Sequence, residues 1–271
     1  MAYQFLQQYD GIRASHSAFD VSDTAKFERH CHSSHELIYI LQGEGKYIVE
    51  GVEYPLHPHA LLLMRPYEYH YVCPHPNQDY ERVVIHFDAQ QLPESLRAHP
   101  ILRENGGNYF SLARIDHPVR AAYGLLNTLV PLTGDGMQQS PEAEAFLRAT
   151  VTQIILLLTQ ETPEKTAPED PGIVLRIIEY LNGHLCEEIS LEALAREFFI
   201  SKYHLCRVFH QQTGASIFTY FNTKRIALAR QMLADGEPAT AVALRLGFRD
   251  YSTFYRAYRK QTGESPVRKI Q

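Results

Sequence analysis

Short runs of apolar and β-branched residues, spaced about ten residues apart, dominate the first ninety positions of the chain. These runs lie at 36–41, 45–50, 60–64 and 82–87, and glycines mark the turns between them. Regular short strands separated by glycine turns are typical of antiparallel barrels and sandwiches. The N-terminal part of the chain is therefore predicted to be a small β-barrel or double sheet.

A helical period replaces this pattern further along the chain, first at 119–132 and then at 141–160. Ser140 is a candidate N-cap for the second helix, and Pro141 suits its first position. The apolar stripe of this helix is wider than one packed face needs, and its members are Phe146, Leu147, Val151, Ile154, Ile155 and Leu158. Two interpretations stay open: the helix covers the barrel, or it forms a dimer interface with a second copy of the chain.

Residues 162–171 are polar, contain three prolines and have no apolar period, which is typical of an interdomain linker. Beyond them the chain is helical throughout, with short polar breaks. The sequence thus predicts an α+β protein of two domains. These are an effector-binding and dimerisation domain at 1–160, a linker at 161–171 and an all-α domain at 172–271.

The net charge of −5 is divided unevenly along the 271 residues. Residues 172–271 hold 14 Lys and Arg against 9 Asp and Glu, a net of +5, and the rest of the chain has a net of −10. Such asymmetry is common where one end of a protein meets a polyanion. Uneven surface charge without a partner would give the same composition, so the placement of residues has to decide between the two.

Membrane and secretory signals are weak in this sequence. Its apolar runs are much shorter than the roughly 18 residues of a membrane span, and the N-terminus does not resemble a signal peptide. The cysteines form no CxxC pair, which indicates reduced thiols; they are Cys31, Cys73, Cys186 and Cys206. We expect a cytoplasmic protein with no membrane partner.

The helical half contains an internal repeat. The segment at 201–209 returns 49 residues later at 250–258, and a Thr-Gly pair follows each copy. Ser201 and Asp250 are good N-caps, and the apolar residues after them recur at helical spacing. A shorter helix and a tight turn precede each copy. The pattern predicts two helix-turn-helix units, each with its second helix placed to enter a DNA major groove.

The segment at 247–266, GFRDYSTFYRAYRKQTGESP, resembles the signature of the AraC/XylS family of transcription regulators. The resemblance extends from about position 173 to 269 and includes Arg225, Ala229 and Leu233 of the long connecting helix. It implies two helix-turn-helix units on one rigid helix, which read adjacent major-groove segments about 34 Å apart. Double-stranded DNA is the partner that this implies.

The outer faces of the two repeated helices carry the candidate DNA-binding residues. They are Lys202, Tyr203, Cys206 and Arg207 in the first, and Tyr251, Ser252, Tyr255 and Arg256 in the second. The resemblance implies base reading for all of them except Lys202. Arginine can pair with O6 and N7 of guanine, whereas cysteine and tyrosine are poorer readers of base edges. An ion pair within the domain is the alternative role for Arg207 and Arg256, and a solvated charge is the alternative for Lys202 and Lys224.

A second motif lies in the strand-rich half, where His30, His32 and Glu36 have the spacing HxHxxxE and His70 follows a later strand. This pattern resembles the two motifs of the cupin superfamily, a double-stranded β-barrel. The second motif departs from the enzymatic form, because Glu68 stands where a glycine is usual. In metal-binding cupins these four positions hold the ion, and a three-His, one-carboxylate set suits Zn, Ni, Mn or Fe.

His30 and His32 alternate with Cys31 on one predicted strand, so both imidazoles would point to the same face. A divalent metal site and a metal-free polar pocket for a sugar or another small molecule both stay open. The other histidines nearby, among them His35 and His86, are expected to be surface or core residues.

These features together predict a sequence-specific DNA-binding transcription regulator, not an enzyme, that responds to a small molecule or metal in its barrel. A homodimer is expected, and the effector is unknown. The alternatives are a cupin metalloenzyme with an appended DNA-binding domain, which would need a redox-active metal, and a redox sensor that uses Cys31 or Cys73.

Overall fold

The computed structural model describes residues 2–20, 27–76, 78–103, 108–112, 120, 140–163 and 172–267. Strands fill its N-terminal half and helices its C-terminal half, as the sequence predicts. The strands are β1 (Ala2–Tyr9), β2 (Ile12–Asp20), β3 (His35–Gln42), β4 (Gly45–Val49), β5 (Val52–Leu56), β6 (Ala60–Met64), β7 (His70–Pro74), β8 (Asp79–Phe87) and β9 (Tyr109–Ser111). All four strands predicted from the apolar runs are present.

The strands form two antiparallel sheets that face each other. One sheet has the order β1-β2-β8-β3-β6-β9, and the other has the order β5-β4-β7. Side chains alternate between the two faces of each strand, so Ile38 of β3 enters the space between the sheets while Leu37 points outward. The space between the sheets is filled mainly by aromatic and branched residues, including Tyr47, Tyr80 and Val84. This is the double-sheet barrel that the sequence predicts.

The helices are α1 (Glu94–Arg97), α2 (Pro141–Leu158), α3 (Gly172–Gly183), α4 (Leu191–Glu197), α5 (Lys202–Thr213), α6 (Ile217–Ala234), α7 (Ala239–Arg245) and α8 (Tyr251–Thr262). The candidate helix at 119–132 lies outside the described residues apart from position 120, as does most of the predicted linker. Among the described helices, none combines the length and apolar composition that crossing a bilayer requires.

Helix α2 begins at the predicted N-cap, where the Ser140 hydroxyl accepts a hydrogen bond from the Ala143 amide at 3.1 Å. Its apolar stripe packs on the outer face of the six-stranded sheet, against residues such as Leu37 and Val83. Of the two interpretations of this stripe, the structure shows the helix that covers the barrel. Leu156, half exposed, is the large apolar side chain of the helix that points away.

The C-terminal half contains the two helix-turn-helix units, α4 with α5 and α7 with α8, which the long helix α6 connects. The predicted caps are present: Ser201 accepts from the His204 amide at 3.2 Å, and Asp250 accepts from the Thr253 amide at 2.7 Å. Both repeated helices end at a glycine in the left-handed region, which closes the helix without a clash from a side chain.

The barrel is docked on the first unit. Ile48, Tyr69 and Tyr71, on the outer face of the small sheet, share one apolar cluster with α3, α4, α5 and α6. At the centre of this contact Glu50 accepts hydrogen bonds from the Tyr69 amide and the Tyr220 hydroxyl. Its carboxylate also lies 2.6 Å from Nζ of Lys224, which is 4% exposed. Lys224 is therefore neither a solvated charge nor free to contact DNA; it joins the two domains.

Candidate ligand site and DNA-binding surface

The four candidate metal ligands lie together at one end of the barrel, where Glu36 and His70 are buried, His32 is partly buried and His30 is exposed. Glu36 is on β3 and His70 begins β7, and both side chains point between the sheets. His30 and His32 precede β3 in a segment that makes only one isolated bridge, between His30 and His70. The strand predicted for these two histidines is therefore wrong, although their ring centroids still lie 5.8 Å apart. One ligand atom from each of the four residues lies within 4.8 Å of the others.

Backbone carbonyls orient the rings of the three histidines. Nδ1 of His30 lies 2.8 Å from the Glu28 carbonyl, Nδ1 of His32 lies 3.0 Å from the Ser34 carbonyl, and Nδ1 of His70 lies 2.8 Å from the Glu68 carbonyl. A carbonyl oxygen only accepts, so Nδ1 of His30 and Nδ1 of His70 donate their protons. Nδ1 of His32 can donate to its carbonyl or accept from the Ser34 hydroxyl, which lies 3.1 Å away. Metal-binding histidines are oriented by the same kind of outer hydrogen bond.

The Glu36 carboxylate lies within hydrogen-bond distance of two of these rings. Its Oε2 accepts from Nε2 of His32 at 2.8 Å and lies 2.9 Å from Nε2 of His70. The buried Nε2 of His70 makes no hydrogen bond of suitable geometry. A divalent ion among these atoms would replace the Nε2 protons, and three imidazoles with one carboxylate are a suitable ligand set. The residues present therefore fit a divalent metal ion.

The electrostatics of the cluster favour an ionised Glu36 carboxylate and neutral rings at His30 and His86. Burial alone would raise the pKa of Glu36, but His70, His86 and His32 hold that pKa well below its ordinary value. Burial and the neighbouring His70 lower the pKa of His30 to about 4. Glu36 outweighs burial at His70 and raises its pKa, so a proton on this ring supplies positive charge when no metal does.

His86 is a fifth member of the cluster that sequence reasoning placed elsewhere. Its ring centroid lies 4.7 Å from that of His32, and its Nε2 lies 3.9 Å from Oε1 of Glu36. Burial lowers its pKa to about 4. The alternation of β8, which sends Val84 into the barrel, also sends His86 inward, and this signal was available in the sequence.

Two further sequence features have structural roles. Glu68, at the position where the cupin pattern usually has glycine, accepts hydrogen bonds from the Arg65 amide at 2.7 Å and from Nδ2 of Asn108 at 2.6 Å. His35 is buried outside the cluster and its Nε2 lies 3.1 Å from the Leu102 carbonyl. Its ring stacks on Phe87. Neither residue is available to the site.

The cysteines do not resemble redox sensors. Burial raises the pKa of Cys31 to about 12 and also raises the pKa of Cys73. A thiol that reacts readily needs a lowered pKa, because the thiolate is the nucleophile. The redox alternative therefore has no support from the environment of either residue.

The candidate DNA-binding residues lie on the outer faces of α5 and α8. Those of α5 are all exposed, and Tyr203 is 78% exposed. On α8, Ser252 and Arg256 are exposed, whereas Tyr251 and Tyr255 are partly buried. These two surfaces are open even though the barrel is docked on the first unit.

Among the described residues, neither Arg207 nor Arg256 forms an ion pair. Each contacts a neighbour on its own helix: Arg207 lies 3.3 Å from Nδ1 of His204, and Arg256 lies 3.4 Å from the Thr253 hydroxyl. Lys202 differs, since its Nζ lies 2.7 Å from an exposed Glu192 carboxylate. The two arginines are thus the members of the set whose charge is free to meet a phosphate or a guanine.

Comparisons with known proteins agree with this architecture. Residues 18–155 match the model of the AraC-like ligand binding domain, and residues 194–269 match a helix-turn-helix domain. The HTH-type transcriptional activator RhaS of Salmonella heidelberg is 28% identical over 244 residues, which cover 89% of this chain and 87% of RhaS. RhaS of Salmonella typhimurium is 27% identical over the same share of each chain.

A solved structure with similar coverage is that of ToxT from Vibrio cholerae. It has 13% sequence identity and a TM-score of 0.42, and the match covers 95% of this chain and 96% of that one. The family models together span both halves of the chain, and the first of them alone matches more than half of it. The chain belongs to the AraC family of transcription regulators, in which a ligand-binding barrel precedes a DNA-binding helix-turn-helix domain.

Proposed function

We propose that the barrel of this regulator binds a divalent transition-metal ion through His30, His32, Glu36 and His70. The observation that carries the proposal is the convergence of one ligand atom from each of the four residues within 4.8 Å, with each histidine oriented by a backbone carbonyl on its Nδ1. When bound, the ion would supply positive charge and open coordination positions for an oxygen ligand. His86 stands beside the cluster, where it can accept or donate a hydrogen bond to that ligand.

The position of the candidate ligands indicates how occupation of the barrel site would affect DNA binding. His30 and His32 belong to the segment that also contains Arg29 and Cys31, and this segment faces helix α6. Ordering of that segment by a ligand therefore acts on the surface where the barrel meets the DNA-binding half. A ligand changes DNA binding only if it has different affinities for the two arrangements of the domains.

We further propose that α5 and α8 bind double-stranded DNA, with Arg207 and Arg256 as the principal readers of bases. Because the partner is DNA, we expect the protein to act in the cytoplasm, and we propose that it does so as a homodimer. The curated relatives are named transcriptional activators, and activation is the direction we propose for this chain.

The metal proposal is tested by measuring the metal content of the purified protein by mass spectrometry. The native chain is expected to hold close to one ion per chain, and His30→Ala/His70→Ala is expected to hold almost none. His75→Ala is the matched control, since His75 is an exposed histidine outside the cluster. Equal metal in all three proteins would contradict the proposal, and no metal in the native chain after growth with Zn, Ni, Mn and Fe would make the site a metal-free polar pocket.

A further inference from the structure

A cleft of about 450 Å³ opens between the mouth of the barrel and helices α6 and α8. Tyr47 and Arg82 line it from the barrel, and Thr223 and Gln261 line it from the DNA-binding half. Its volume is within the roughly 300–1,000 Å³ of small-molecule sites. His30 and His32 also line the cleft, so the histidine cluster opens into it.

Among the described residues, Arg82 enters this cleft without a carboxylate partner for its charge. It is on β8, on the inward face with Val84 and His86, and its Nε is buried without a hydrogen bond. Its polar contact within the described part of the chain is weak, since Nη1 lies 3.5 Å from the Tyr80 hydroxyl. The guanidinium otherwise lies over the rings of Phe19 and Tyr80. A guanidinium that meets mainly ring faces is normally paired with an anion.

Two more arginines enter the same cleft from its rim. Arg29 lies over the Tyr71 ring at 4.6 Å, and Arg230 is an exposed residue of α6. Among the described residues, no Asp or Glu forms an ion pair with any of the three. Glu28, also exposed, is the one described carboxylate that lines the cleft. The lining outside the histidine cluster therefore has an excess of positive charge.

We propose that this cleft binds a small molecule that carries an oxyanion, a carboxylate or a phosphate, and that this anion pairs with Arg82. Planar guanidinium groups bind both kinds of oxyanion through paired hydrogen bonds. Arg29 and Arg230 hold the same ligand from the two sides of the cleft, one from each domain. The inference deepens the proposed function by naming the effector class, and it requires the barrel to act as a ligand-binding domain.

The position of the ligand gives it a regulatory effect. A molecule that contacts Arg82 in the barrel and Arg230 on α6 stabilises the docked arrangement of the domains, because undocking separates these two contacts. α6 connects the two helix-turn-helix units, so any shift of this helix changes how α5 and α8 meet DNA.

The test uses three probes with one carbon skeleton: glucose, gluconate and glucose 6-phosphate, with inorganic phosphate as the smallest anion. Binding to the full-length chain is measured by calorimetry at constant ionic strength. At least one of the three anions is expected to bind ten times or more tighter than glucose. This factor follows from the roughly 1.5–3 kcal/mol of a hydrogen bond to a charged group. A preference for gluconate would identify a carboxylate effector, and a preference for glucose 6-phosphate or phosphate would identify a phosphorylated one.

Substitutions of the arginines test which of them bind the anion. Arg82→Met and Arg230→Met are each expected to weaken anion binding about tenfold, while Arg82→Lys, which retains the charge, weakens it less. Arg176→Met is the control, since this exposed arginine of α3 lies outside the cleft. Arg230→Met keeps the test valid if Arg82→Met fails to fold, because Arg230 is on the surface.

Equal binding of glucose and its anions, no binding of any anion, or anion binding that survives both Arg82→Met and Arg230→Met would overturn the proposal. Each protein is also measured after chelation, and its metal content is determined. Loss of anion binding on chelation with no effect of the arginine variants would assign the anion to the metal alone. Retained anion binding after chelation would show that the cleft binds the anion without the metal, and a native chain that holds no metal but binds the anion would contradict the metal proposal alone.

Discussion

The two helix-turn-helix units have matching sequences but different surroundings. The first shares its core with the barrel, through Ile48, Tyr69 and Tyr71. The second has a core of its own, whose buried members all come from positions 226–258. The two repeated units therefore differ in their attachment: the first packs directly on the ligand-binding domain, and the second is linked to it through α6. A signal from the barrel reaches the first unit directly and the second through the connecting helix.

Arg225 is the residue that joins the two units. Its Nε donates to the Leu185 carbonyl at 2.8 Å, and its other nitrogens donate to the Glu187 and Gly247 carbonyls. The first two carbonyls precede α4, and the third is in the turn of the second unit. The guanidinium also lies 4.1 Å from the centre of the Phe221 ring. Substitution of Arg225 therefore tests how strongly the two units are joined.

Arg225→Ala is expected to have the largest effect. It leaves three carbonyls without their donor and opens a cavity beside Phe221, so we expect the free energy of unfolding to fall by roughly 3–5 kcal/mol. Urea unfolding followed by circular dichroism measures this. Arg176→Ala, at an exposed site, should change it by less than about 0.5 kcal/mol. An effect of Arg225→Ala as small as this would show that the units are joined by other contacts.

Lys224→Met breaks the attachment of the first unit to the barrel. Loss of the Lys224 ammonium leaves the Glu50 carboxylate without its ion-pair partner at a buried interface. We expect the free energy of unfolding in urea to fall by roughly 2–3 kcal/mol. Glu50→Gln/Lys224→Met should recover part of it, because the amide has no charge to leave unpaired.

Lys202→Met is the matched control for this pair. Its partner Glu192 is exposed, and exposed pairs contribute about 0–1 kcal/mol. Equal effects of Lys202→Met and Lys224→Met would mean that the interdomain pair is not buried in solution.

Arg207→Ala and Arg256→Ala test how much each unit contributes to DNA binding. Each should weaken binding to a site selected from random DNA by roughly 1–3 kcal/mol and relax discrimination at one base position. Fluorescence anisotropy with selected and scrambled duplexes measures both losses. The same loss on both duplexes would assign the residue to a phosphate contact.

The turns of the two units differ in the residue that occupies the left-handed region, and we expect substitution there to have the smallest effect on stability. Phe199 occupies the left-handed region with φ 54° in the first turn, where the second turn has Gly247 with φ 66°. Phe199 is 94% exposed and buries little surface. Phe199→Gly should therefore raise the free energy of unfolding by about 1 kcal/mol, because glycine adopts this conformation without strain.

Gly247→Ala is the reverse test of the turns. A Cβ there would lie 2.7 Å from the Cys186 carbonyl oxygen and 2.9 Å from Nη2 of Arg225, so it should destabilise the second unit. Phe199→Ala, which keeps a Cβ, should raise the stability little. If Phe199→Gly also leaves the stability measured by thermal unfolding unchanged, the first turn is not strained.

Local patterns in the sequence determined the architecture of this protein. Alternation of side chains predicted β3, β4, β6 and β8, and the spacing of the repeat predicted both helix-turn-helix units with their caps at Ser201 and Asp250. The resemblance of the HxHxxxE motif and the later His70 to the cupin motifs predicted four members of the cluster and left out His86. The strands, the helix-turn-helix units and their caps depend on residues close together in the chain or on one repeated pattern.

Only the tertiary structure decided how these parts meet. Glu50 and Lys224 were a turn residue and a surface lysine in the sequence, and packing of the barrel on α6 makes them a buried pair. Packing also brings Arg82 and Arg230 to one cleft. The orientation of the three histidine rings depends on carbonyls whose direction the backbone path sets. A local period specifies which face of an element is apolar, but it does not specify which element will lie against that face.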